Sequence, residues 1–195
     1  MLIISPTYGI PDARTTRQDK MKICIVSDSH DRADPLAAAV TAAQAAGAQV
    51  VIHCGDLIGA QTLRASIKLG LPLHVVHGNN LGDPMAMQHL VAKSAGQLIY
   101  HGLDATLELA GRRIFVTHYP HLGHGMACTG DYDLVCCGHS HSAAITEQPN
   151  IKGGRTLLVN PGTVAGIDAP SVDAHCTWIL GDLKHMTFEI RTLEH

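Results

Sequence analysis

Apolar runs and their polar punctuation divide the chain into two unlike halves. Between Met21 and Gly96, short continuous apolar runs alternate with longer mixed segments. "KICIVSD" (22–28), "AQVVIHCGD" (48–56) and "LPLHVVHGN" (71–79) read as buried strands. "DPLAAAVTAAQAAG" (34–47), "AQTLRASIKLG" (60–70) and "PMAMQHLVAKSAG" (84–96) read as helices, with Pro35 and Pro84 suited to a first turn and Gly47 to a stop. That alternation predicts parallel βαβ units covered on both faces. The second half is strand-rich. "ATLELAGRRIFVTHY" reads as two strands around Gly111, and "YDLVCCGHSH", "SAAITEQPN", "RTLLVNPG", "AHCTWILGD" and "HMTFEIRTL" as further short strands, with "KGGR" (152–155) as a hairpin turn. The expected fold is α/β, two packed sheets flanked by helices. Residues 1–20 fit neither pattern and are read as a dispensable extension before a single domain over 21–195.

Polar residues gather at the strand ends. The runs end in Asp28 and His30, in Asp56 after Gly55, in Asn79 after Gly78, in His118, and in His139 and His141 after Gly138. Function in open α/β sheets collects at the carboxyl ends of strands. Any one of these residues alone reads as a turn residue or a helix cap. Seven oxygen and imidazole donors together do not, because such a cluster is costly without a cation to organise it. Mixed Asp, Asn and His donors suit a pair of first-row divalent ions, and two such ions can bind one phosphate and an acidified bridging water. The chain carries no G-x-S-x-G elbow, P-loop or H-E-x-x-H motif.

Composition narrows the partners. The 195 residues are 46% hydrophobic and 4% aromatic, with a formal charge of −3 and no basic block, which argues against gripping or stacking on nucleic acid. Six cysteines without a C-x-x-C pair suit reduced thiols and a cytoplasmic protein. No apolar run reaches membrane-span length, and the N-terminus lacks the form of a signal peptide.

D-x-H, G-D, G-N, a strand-end His and G-H-x-H, in that order from Met21 to about Pro161, resemble the calcineurin-like metallophosphoesterases. "LLVNPGTVAG" (157–166) is similar to a segment of their small single-domain phosphodiesterases. The resemblance implies a four-layer αββα sandwich of two mixed sheets with a dinuclear site at one edge. It implies that Asp28, His30 and His141 hold one metal, that Asn79, His118 and His139 hold the other, and that Asp56 bridges them. Manganese leads, with iron, nickel, zinc or magnesium as alternatives. The implied activity is hydrolysis of a small phosphodiester by metal-bound hydroxide. Where many members have a His after G-N, this chain has Asn80, which can hydrogen-bond but cannot supply a proton. His121 or His124 in "THYPHLGH" is read as a substitute acid or phosphate contact, or alternatively as an exposed loop residue. The competing functions are a non-catalytic scaffold of the same fold and a nuclease subunit. A homo-oligomer is compatible with the resemblance.

Overall fold

A computed structural model describes residues 21–170 and 175–193. The expected extension at 1–20 lies outside the described residues. The first sheet holds β1 (Lys22–Val26), β2 (Ala48–His53), β3 (Leu73–Val75), β4 (Leu98–Tyr100), β10 (Thr177–Asp182) and β11 (Thr187–Thr192), in the order β11-β10-β1-β2-β3-β4. Strands β1 to β4 run parallel, and β10 and β11 are antiparallel additions. The second sheet orders β5 (Asp104–Leu109), β6 (Arg112–Thr117), β7 (Leu134–Cys136), β9 (Arg155–Pro161) and β8 (Ala143–Pro149). Its three central strands are parallel and its two outer strands antiparallel to their neighbours.

Side-chain alternation on the strands sorts the core into layers. Ile23 and Ile25 of β1, Ile52 of β2, Ile114 and Val116 of β6, Leu134 of β7 and Ile179 of β10 meet between the sheets. Cys24, Val26, Val51, Leu73 and Val75 face the other way and pack on α1 (Ala33–Ala45) through Leu36, Ala39, Val40 and Ala43. Helix α3 (Pro84–Lys93) adds Met87 to that layer. Helix α4 (Pro120–Thr129) covers the outer face of the second sheet through Ala127, against Phe115 and Val135. The result is the expected αββα sandwich.

Three expectations change in detail. The segment 60–70 is not one helix but a 3-10 turn, Ala60–Leu63, running into the single α turn α2 (Arg64–Ile67). Asp31 Oδ1 accepts from Gly59 N at 2.7 Å and Thr62 Oγ1 at 3.0 Å, which tightens the start of that segment. The stretch "PHLGHGMACT", which the sequence reading gave no element and whose His121 and His124 it read alternatively as loop residues, is helix α4. The edge strand β4 has no counterpart in the sequence reading.

Candidate metal centre

Strands β1, β2, β3, β6 and β7 all deliver a polar loop to the same edge of the two sheets. The loops are laced together before any metal is considered. Asp28 N donates to Gly55 O at 3.0 Å, His30 N to Asp56 O at 3.0 Å, and Gly138 N to His118 O at 3.0 Å. Thr163 Oγ1 donates to Asp28 O at 2.8 Å, which brings in the "NPGT" segment. A close approach of backbone is needed at two glycines. A Cβ on Gly138 would collide with Ser27 Oγ and lie 2.8 Å from Asp28 Oδ2, and one on Gly78 would collide with Asp56 Oδ1. Asp28, His30, Asp56, His139 and His141 all have φ between 40° and 70°, a region side chains other than glycine seldom adopt.

The structure brings all seven predicted donors together. Asp28, His30 and His141 offer ligand atoms within 4.8 Å of one another, and so do Asp28, Asp56 and His118. His30 Nε2 lies 3.3 Å from His141 Nε2 and 3.7 Å from Asp56 Oδ2. Asn79 Oδ1 lies 3.0 Å from His118 Nε2 and 2.8 Å from His139 Nδ1. Asp56 stands between the two groups, its Oδ1 3.4 Å from His118 Nε2.

The donor chemistry fits cations. His141 Nδ1 is 2.6 Å from Ile167 O and His118 Nδ1 is 2.9 Å from Cys54 O. A carbonyl can only accept, so these ring nitrogens donate, and the Nε2 lone pairs turn inward. Asp28 Oδ1 is fully buried and accepts no hydrogen bond; its neighbours are His141 Nε2 at 3.3 Å and His30 Nε2 at 3.8 Å. Lone pairs of nitrogen and oxygen therefore converge where no permanent donor stands between them. A proton satisfies one such pair at a time, whereas a divalent ion satisfies several. Burial pushes the Asp28 carboxyl up, but His141, His30 and Ser27 outweigh it and hold it below the usual carboxylate range. Asp28 in turn pushes the His141 imidazole up.

Two predicted site residues do something different from the rest. Asn80 turns its donors onto Asp56, N to Oδ1 at 2.9 Å and Nδ2 to Oδ2 at 2.7 Å. His121 is exposed on α4, its ring 5.7 Å from that of Tyr119, which lies 5.8 Å from the His139 ring. His124, also on α4, meets Cys128 Sγ at 3.7 Å. Sequence reasoning missed the supporting histidine of this edge. His53 is fully buried beneath it, between Ser29 Oγ at 3.0 Å and Gly55 N at 3.2 Å. Since Gly55 N must donate to His53 Nδ1, Nε2 carries the proton toward Ser29. Burial holds His53 down at about 4, so it is neutral.

The sequence profile of the calcineurin-like phosphoesterase superfamily domain matches residues 21–185. The chain belongs to this superfamily. A phosphodiesterase of Methanocaldococcus jannaschii is 28% identical over 152 residues, covering 75% of this chain and 86% of that protein. The solved structure of an archaeal phosphodiesterase superposes with a TM-score of 0.77 at 23% identity, covering 89% of this chain and all (100%) of the other. Vacuolar protein sorting 29 from Cryptosporidium parvum shares the fold at a TM-score of 0.60 and 14% identity, over 90% and 98% of the two chains. As a metallophosphoesterase the chain is a metal-dependent phosphoester hydrolase, and its family implies divalent metal ions. Among the described residues no helix is long and apolar enough to cross a membrane.

Proposed function

We propose that this metallophosphoesterase is a dinuclear-metal phosphodiesterase acting on a small phosphodiester. The observation that carries the reading is the convergence of seven donor residues, Asp56 between the other six, with Asp28 Oδ1 buried and unbonded. Asp28, His30 and His141 would hold one ion, Asn79, His118 and His139 the other, and Asp56 both. Bound there, two divalent ions would supply an acidified water and neutralise charge on the phosphoryl oxygens. The chain's own residues do the rest. Ile167 O and Cys54 O orient two imidazoles through their Nδ1 protons. Asn80 acts through Asp56, fixing both carboxylate oxygens, and is a positioning residue. His121 is the proton source on the open side, next to Tyr119. Imidazole mixed with carboxylate and amide oxygen suits manganese or iron, and six free cysteines, five of them buried, suit a reducing cytoplasm.

The test is hydrolysis of bis(p-nitrophenyl) phosphate by metal-stripped protein, with and without Mn²⁺. Metal-dependent turnover supports the reading. Bound metal without turnover under Mn²⁺, Fe²⁺ or Ni²⁺ would remove it and leave the scaffold alternative. A nuclease subunit finds no support in a chain of charge −3 without a basic block.

A further inference from the structure

Strand β11 leaves one side of its backbone without a partner. It closes the first sheet and, among the described residues, pairs with β10 alone. Leu193 N donates to Cys176 O at 2.9 Å, one step beyond the Thr192–Thr177 pair. On the far side of β10, Leu183 N donates to Met21 O at 3.0 Å. Amides alternate sides along a strand, so both bonds fix the same phase. Thr187, Glu189 and Arg191 turn N–H and C=O toward β10, and Phe188, Ile190 and Thr192 turn theirs outward. The side chains alternate between faces as well. Ile190 stands opposite Ile179, on the face that meets the second sheet, and is still 38% exposed. Glu189 and Arg191 share the other face, both exposed and 2.7 Å apart.

The other three sheet edges are protected in ways that β11 is not. β4 is only three residues long. The charged residues of β5 are both acids, Asp104 and Glu108, so a second copy would bring like charges together. β8 spends Glu147 on Arg155 of its neighbour β9 and ends in Pro149, which has no N–H. β11 has six residues without Pro, Gly or Lys, and its pairing with β10 runs without a bulge. A regular edge of this kind is a template for another strand. Its charge pattern says which one. Let two β11 strands pair antiparallel, centred on Ile190. Ile190 then faces Ile190 and Phe188 faces Thr192 of the second copy, each pair able to exchange two N–H···O bonds through the outward groups. Glu189 faces Arg191 at both ends, in the closely spaced pairs where side chains meet. A centre at Phe188 or Thr192 loses both ion pairs.

We propose that β11 is the contact between two copies of this chain, a two-fold symmetric dimer in which the two first sheets run on as one. No residue of the metal centre lies on β10 or β11, so the contact and the centre can be tested apart. Sedimentation of the full chain is expected to show a species of twice the 20.7 kDa chain mass that dissociates on dilution. Ile190→Pro removes an outward N–H and none that bonds β10, so it should give a folded monomer with wild-type metal content. Glu189→Arg and Arg191→Glu each set like charges across the contact and should weaken it about tenfold or more. Both lie on the exposed face, leave the core alone and decide independently of the proline. Mixed in equal amounts, these two variants present opposite charges to each other and should form a mixed dimer of near wild-type affinity. The Glu189–Arg191 pair within each chain stays broken in that mixture, so recovery reports contact between chains. A wild-type monomer at every concentration up to the solubility limit would overturn the proposal. So would a dimer indifferent to both charge variants, or variants that stay apart when mixed. A dimer lost on deletion of residues 1–20 would also overturn it, giving the contact to that segment.

Discussion

Asp28, His30, Asp56, His139 and His141 sit in left-handed backbone, where a side chain costs on the order of 1 kcal/mol each. Stability is given up at these five positions so that short loops can aim five side chains at one place. Gly55 and Gly138, just before Asp56 and His139, allow the loops to touch. Gly138→Ala should therefore cost about 1–3 kcal/mol and lower metal content, because its Cβ would push on Ser27 and Asp28. Thermal unfolding with metal analysis checks both. Asp56→Asn keeps the shape and removes the shared charge, so metal analysis of the purified variant should show both ions reduced. Wild-type metal content would contradict a bridging role. Asn80→Ala should weaken metal binding about 10–100-fold, as expected of a group that holds a ligand from behind. Titration with Mn²⁺ measures it.

Elements differ in how plainly they advertise themselves. β1, β2 and α1 are long, buried and uniformly apolar on the side that matters, so their pattern is legible. Helix α4 is not, because Gly123 and Gly125 lower its helix propensity and only Gly123 and Ala127 are buried. What makes it a helix is the second sheet it lies on. The same holds for β4, three residues long, which is a strand only because β3 offers it a partner. Helix α3 has a local reason for its start, since Asp83 accepts from Met85 N and Ala86 N. Asp83→Ala should cost about 1 kcal/mol of stability and leave metal content unchanged. Chemical denaturation beside metal analysis separates the two.

The whole molecule couples folding to protonation at the edge of the sheets. His53 is neutral and buried, with its folded value near 4 against about 6.5 when unfolded. The unfolded chain then binds the extra proton between these values. The His53 contribution is present above about pH 6.5 and lost as pH falls toward 4, up to about 3 kcal/mol. His74, also held down at about 4 by burial and by His101, adds in the same direction. Metal binding moves the same way, since imidazole ligands must be unprotonated. Melting temperature should therefore drop between pH 6.5 and 4, more steeply for metal-loaded protein, and scanning calorimetry at several pH values would show it. Deletion of residues 1–20 should leave folding and metal content intact. Loss of either would place those residues within the domain.

By itself the sequence determined most of the strands along the chain, the apolar faces and the polar residues at the strand ends, because period-two alternation and loop chemistry are local properties. It also carried the seven residues that the structure brings together at this edge, since each motif spans only a few residues. Tertiary structure decided what no local pattern contains. Asn80 reads from the sequence as a contact to a phosphoryl oxygen, yet packing turns it onto Asp56. His53 precedes "CGD" like a bystander, yet the parallel pairing of β2 with β1 makes it the buried support of Ser29 and Gly55. Distances between loops depend on which strands are neighbours, and that is settled by burial of the whole core between the sheets.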